Sequence, residues 1–329
     1  MVARIAIALL LVVESVPVAR AALPETNGFM LLRGADLRLA AIGERLAIAN
    51  VALCPDRQPR LGIVLHALEQ YRPAVRAAAR QAFGFGTPIA IEAVVPGSAA
   101  DQAGIVADDG LIAIGDASLP QAFVPDSAPA STLARDAIDQ RLASLPPERE
   151  VRLQLLRAGA RRDVAVMPQP GCRVRFEVHD LDEAAAGDAT VQIGAPYLDR
   201  FDDASLAVIV AHELSHVILR HRARLEAAGV HYGAFSELGK SGRLHRQAES
   251  EADRLSVYLL YNAGYDPAGA GRFWRGPGKA IDGGIFRNRA YPARRERAAA
   301  LDAEAANIPA GAKAPFIPPL VALADQPMR

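Results

Sequence analysis

Cysteine is scarce. Cys54 and Cys172 are the only two in 329 residues, too few for a disulfide scaffold or a four-thiolate metal site, and without the Cys-x-x-Cys spacing of a redox pair. Neither sign of charge is in excess: 37 Lys and Arg balance 37 Asp and Glu. The basic residues are also spread along the chain, so the electrostatic footprint that nucleic-acid binding requires is missing. Beyond the N-terminus no apolar run approaches the roughly 20 residues of a transmembrane helix. Compositional bias is absent too, since 51% hydrophobic and 22% charged residues exclude a disordered, collagen-like or coiled-coil protein. What remains is a chain long enough for two or three globular domains.

The N-terminus reads as an address. Met1 to Arg4 carries a positive charge, Ile5 to Val13 is uninterruptedly apolar, and Ala19-Arg20-Ala21 offers small residues around a cleavage point. A signal peptide over residues 1–22 and an exported mature protein are expected. Glu14 and Pro17 interrupt the run before it could span a membrane, and an uncleaved anchor or a short amphipathic helix is the competing reading. Export to an oxidising compartment would permit a Cys54 to Cys172 bridge; two buried thiols are the alternative.

Residues 23–80 contain a helical run, Ala74 to Phe83, behind Pro73, and no chemistry attaches to this block. Residues 81–170 read as strand, short helix, strand, long helix and hairpin. The strands are Ile89 to Val95, Leu111 to Asp116, Val151 to Arg157 and Asp163 to Met167; the long helix is Thr132 to Leu145. The stretch Val95-Pro96-Gly97-Ser98-Ala99-Ala100-Asp101-Gln102-Ala103-Gly104-Ile105, with Asp108-Asp109 and Leu111-Ile112-Ala113-Ile114-Gly115, resembles the middle of a bacterial PDZ domain. That resemblance implies capture of an extended peptide as an added strand. Phe83-Gly84-Phe85-Gly86 is similar to the loop that accepts the peptide carboxylate, although a plain turn explains it equally well, and a β-rich spacer is the alternative for the whole block.

The chemistry follows residue 200. Asp202 or Asp203 can cap a helix whose apolar run, Leu206 to Ala211, leads into His212-Glu213-Leu214-Ser215-His216. At about 3.6 residues per turn His212 and His216 leave the same face one turn apart and can share a metal ion. Glu213, one step round, stands where a general base belongs. A second helix, starting near Ser241 and stopping at Gly264, carries Glu249 and Asp253 on one face. Two histidines and a glutamate are an established zinc set with an open position, which makes Glu249 the third ligand. Asp253 could accept a ring N–H from a liganding histidine. Glu251 reads as a solvated charge, or as a replacement for Glu249. Among the other histidines, His221 falls off the metal face, His66, His179 and His231 lack motif context, and His245, four before Glu249, could approach the site.

These residues, with Tyr261-Asn262-Ala263-Gly264-Tyr265-Asp266-Pro267, resemble metallopeptidase family 48, the HtpX-type and CAAX prenyl proteases and their soluble periplasmic relatives. The similarity runs from about residue 172 to 305. Ala189 to Leu198 resembles the family's strand and turn before the first zinc helix, an edge on which substrate backbone could align. Tyr291-Pro292-Ala293 through Arg297 resembles a segment that usually reads His-Pro-Ser with a following Arg. Arg297 matches that Arg and is, with Tyr291, a candidate substrate or transition-state contact; Tyr291 replaces the histidine, where its hydroxyl could donate to an oxyanion or its ring could simply pack.

The expected fold class is α+β: a mainly helical zinc-peptidase domain at 171–305 behind a small PDZ-like β-rich domain at 81–170, with a Pro-rich tail at 306–329. The resemblance implies one Zn2+ per chain, polypeptide substrates, a periplasmic location and zinc-dependent endopeptidase activity in protein quality control. The alternative is an inactive PDZ-containing chaperone or peptide-binding protein with a structural metal site.

Overall fold

The computed structural model describes residues 25–230, 239–282 and 293–328; the expected signal peptide at 1–22, His231 and Tyr291 lie outside them. Helix α1 (Glu25–Ala49) buries Leu39, Ile42 and Leu46. Strands β1 (Arg57–Arg60) and β2 (Ile63–Ala67) and helix α2 (Pro73–Phe83) follow. Pro73 occupies the first turn of α2, where a missing N–H is harmless, and Gly84 ends it at φ 59°, a left-handed conformation that glycine adopts without strain.

Next come β3 (Ile89–Val94), α3 (Ala99–Gln102), β4 (Gly110–Ile114), β5 (Ala117–Ser118), α4 (Leu133–Ala143), β6 (Val151–Arg157) and β7 (Ala160–Val166). One antiparallel sheet orders these strands β2-β3-β4-β6-β7, with β5 beside β4. Period-two alternation turns Val151, Leu153 and Leu155 of β6 inward, where they meet Ile138 and Leu142 of α4. The sheet thus begins at Ile63, and a boundary at residue 81 cuts β2 from its partner. That pairing crosses α2, so nothing local to either strand announces it.

The second half contains β8 (Gln169–Cys172), β9 (Arg175–His179), β10 (Ala184–Ala186), β11 (Thr190–Gly194), α5 (Ala195–Arg200), α6 (Asp203–Ile218), α7 (His221–Ala227), α8 (Gly239–Asn262), α9 (Gly269–Arg275) and α10 (Arg294–Ala306). Helix α6 is apolar around its whole circumference from Leu206 to Ala211 because α1, α8 and α9 all pack on it. Its core extends to Leu255 and Leu259 of α8, Phe273 of α9 and Leu301 of α10, and it includes the buried residues of α1. Residues 23–80 are therefore shared out: α1 joins the helical core, β1 pairs with β8, and β2 opens the sheet. The fold mixes helix and strand, as an α+β class requires.

The tail is a strap. Phe316 exchanges two hydrogen bonds with the side chain of Asn262 on α8, 2.7 and 3.0 Å, and its ring stacks on Tyr258. Cys54 and Cys172 are joined in a disulfide, Cα atoms 5.3 Å apart across 118 residues of sequence, tying the end of α1 to β8.

A cavity of about 660 Å3 lies between α1, β2, α4 and β9. Among the described residues only β3 pairs with β2, so the other edge of β2 is unpaired. Asp36, Glu92 and Asp139 line this space with Arg135. Burial pushes the Glu92 carboxyl up to about 8, and the charge of Asp36 adds to the effect.

Two consequences can be measured. Replacing both cysteines by alanine releases a long loop in the unfolded chain and should lower stability by about 2–4 kcal/mol, read from urea unfolding; an unchanged midpoint would contradict this. Glu92 binds its proton more tightly folded than unfolded, so stability should fall as pH rises from its ordinary value of 4.5 towards about 8. Glu92→Gln should flatten that slope, and an identical pH profile would contradict the assignment.

Candidate metal centre

Helix α6 begins where Asp202 caps it by accepting the Ser205 N–H at 2.8 Å. Two and a half turns on, His212 and His216 stand one turn apart with ring centroids separated by 4.9 Å. Helix α8 crosses α6 and brings Glu249 to the same point. Its end is set by Gly264 at φ 70°, the left-handed position expected after a helix C-terminus.

The donor atoms form a closed triangle. His212 Nε2 lies 3.1 Å from Glu249 Oε2 and 3.2 Å from His216 Nε2, and His216 Nε2 lies 3.6 Å from Glu249 Oε2. Ligands held tetrahedrally at 2.0–2.1 Å from one ion are about 3.3–3.4 Å apart, a value that the three observed separations bracket. His212, His216 and Glu249 together could hold a metal ion.

The electrostatics agree with a cation at that point. Burial opposes charge on His212, but the carboxylates of Asp253 and Glu249 outweigh it and hold its proton up to about 10. Glu249 is likewise held well below the usual carboxylate range: burial opposes this, and the charge of His216 with hydrogen bonds to both histidines overcomes it. In the absence of an ion a proton does the same electrostatic job.

Behind His212 the arrangement is fully built. Its Nδ1 lies 2.9 Å from Asp253 Oδ1. Arg297 of α10 grips both oxygens of Asp253 at 2.6 and 2.5 Å, and its guanidinium lies 3.7 Å from the ring centroid of Trp274. Asp253 thus accepts the Nδ1–H, so the proton that an ion would displace is the one on Nε2, facing the triangle. Arg297, a candidate substrate or transition-state contact in the sequence, is 5% exposed and donates to Asp253 from the α10 side.

Glu213 stands beside the triangle. It is 8% exposed, and burial pushes its carboxyl up, against the charges of His212 and His216. Among the described residues its carboxylate has no hydrogen-bonding partner, so structure alone does not account for it.

Other expectations are corrected. Glu251 is not solvated: it is 6% exposed and binds Arg224, Gln247 and His221 at 2.7, 2.7 and 3.1 Å. His221 does not stand apart, since its Nδ1 lies 2.9 Å from His216 Nδ1. Strand β11 is no edge, being paired with β9 on one side and β10 on the other; the outer strand against α6 is β10. Phe83 and Phe85 do not form a carboxylate-binding loop. They are buried with Phe29, His66 and Tyr71 in an aromatic core, and the Phe85 N–H is used on Arg80 O. Gly84, at φ 59°, lets the chain turn into it, and a Cβ on Gly86 would meet Leu156 at 3.1 Å. The segment that enters β2 beside the cavity is Arg60-Leu61-Gly62-Ile63, a signal weak in sequence because it holds one glycine and no aromatic.

Arg297→Leu would leave the buried Asp253 with His212 alone as a partner and should cost about 3–5 kcal/mol, measured by urea unfolding; a loss below about 1 kcal/mol would mean that the pair is not the clamp described here. No protein-family model matches the chain, and a search of curated proteins gives no match, which leaves the geometry of these side chains as the ground for a functional assignment.

Proposed function

We propose that the chain is a zinc-dependent endopeptidase of the bacterial cell envelope, exported to the periplasm and acting on unfolded or C-terminal segments of proteins, as its resemblance to metallopeptidase family 48 implies. The observation that carries this reading is the His212, His216 and Glu249 triangle with Glu213 beside it. Two imidazole nitrogens and one carboxylate oxygen are a donor set of hydrolytic zinc.

Zinc bound by these three residues would polarise the scissile carbonyl and lower the pKa of a water from 15.7 to about 7. The protein's own residues supply the remainder. Glu213 would take the proton of the attacking water and hand it to the departing amine nitrogen. Its buried position favours this, since burial raises the carboxyl and makes it a stronger base than an exposed glutamate. Asp253 and Arg297 keep His212 in its metal-facing tautomer. The edge of β10 next to α6, unpaired among the described residues, is where an extended substrate could add as a strand.

The β-rich unit would hold client chains. An extended segment could lie along the unpaired edge of β2, in the cavity flanked by α4. Among the described residues no helix is long and apolar enough to cross a membrane.

The test compares zinc-loaded wild type with Glu213→Gln on an unfolded polypeptide, reading new termini. Wild type should generate them and the variant should do so at least about 100-fold more slowly, with zinc content unchanged. Equal cleavage, or none by either protein, would remove the peptidase reading in favour of a binding protein with a structural metal.

A further inference from the structure

His212 is oriented by a carboxylate and an arginine, and His216 is backed by a different group. His216 Nδ1 lies 2.9 Å from His221 Nδ1, His221 Nε2 lies 3.1 Å from Glu251 Oε2, and Arg224 Nη1 donates to that same oxygen at 2.7 Å. Gln247 donates to the other oxygen at 2.7 Å. This array is sealed: His221 is 1%, Glu251 6% and Arg224 7% exposed. Nothing in the proposed chemistry uses it.

Its chemistry runs in one direction. An ionised carboxylate only accepts, so with Arg224 and Gln247 as donors on either oxygen, Glu251 also requires a donor at His221 Nε2. A neutral His221 protonated at Nε2 carries a lone pair at Nδ1. That lone pair can satisfy only a protonated His216 Nδ1, which leaves the Nε2 lone pair of His216 directed at the triangle. A cationic His221 would reverse the last step and put a hydrogen on His216 Nε2, where an ion must sit.

We infer that His221, anchored by Glu251 and Arg224, is a positioning residue that fixes His216 in its metal-binding tautomer. The inference rests on the metal reading above and deepens it: each liganding histidine has its own tautomer lock, Asp253 with Arg297 for His212 and His221 with Glu251 and Arg224 for His216. The need for an acceptor that is also a donor explains a histidine here, since an aspartate at 221 would face Glu251 as a second negative charge.

The test measures zinc affinity of the full chain by competition with a chromophoric chelator, for wild type, His221→Leu and His221→Gln. Loss of the lock in His221→Leu should weaken zinc about 10- to 100-fold. His221→Gln, whose side-chain oxygen can accept from His216 Nδ1 while its amide donates to Glu251, should recover most of that loss. Zinc binding by His221→Leu equal to wild type, or equal losses in both variants, would overturn the inference. Should His221→Leu fail to fold, imidazole 15N chemical shifts of wild type decide: His216 protonated at Nδ1 supports the lock, and His216 protonated at Nε2 overturns it. Failure of the metal reading looks different, because wild type would then bind zinc no more tightly than His212→Ala.

Discussion

Three electron-rich atoms from two helices meet within 3.6 Å of one another, and that convergence is unfavourable unless a cation lies among them. Much of the helical half can be understood as what keeps His212 Nε2, His216 Nε2 and the Glu249 carboxylate in place. Helix α6 is held by apolar contacts around its circumference, so its two histidines cannot rotate away. Helix α8 contributes the carboxylate from a face whose neighbouring residues, Glu251 and Asp253, are themselves tied down by arginines.

Those arginines come from different directions. Arg297 arrives from α10 and is braced by the chain's only tryptophan on α9, while Arg224 comes from α7 and also donates to the backbone of Gln326 in the tail. The tail strap, α7 and α10 therefore bear on the site from behind, α7 through His221 against His216 and α10 through Arg297 on Asp253. Such supporting contacts hold ligand side chains to the small tolerances that metal binding demands. The disulfide acts at the opposite end of the helical core, fastening α1 to β8 near the junction with the sheet.

Spacing made part of this site legible in the sequence. Positions four apart on a helix share a face, which pairs His212 with His216 and Glu249 with Asp253, and Asp202 and Gly264 mark helix ends by their capping chemistry. The same counting hid His221. Five residues past His216 on a continuous helix it would point elsewhere, but α6 ends at Ile218 and Arg220 takes φ 52°, so a new helix starts at His221 and turns its ring back. Glu251 was hidden for a related reason: the face opposite the metal is covered by α7, which no local pattern reveals. Likewise β2, the interior position of β11 and the aromatic core around Phe83 depend on partners far away in the chain. Strand order across such separations is set by packing and is invisible to periodicity.

The most direct test of the central claim is X-ray absorption at the zinc edge of the purified full chain. One zinc per chain is predicted, with two imidazole nitrogens and oxygen ligands in a four-coordinate shell at about 2.0–2.1 Å. A chain that retains no zinc, or a spectrum without two imidazoles on the ion, would contradict the account.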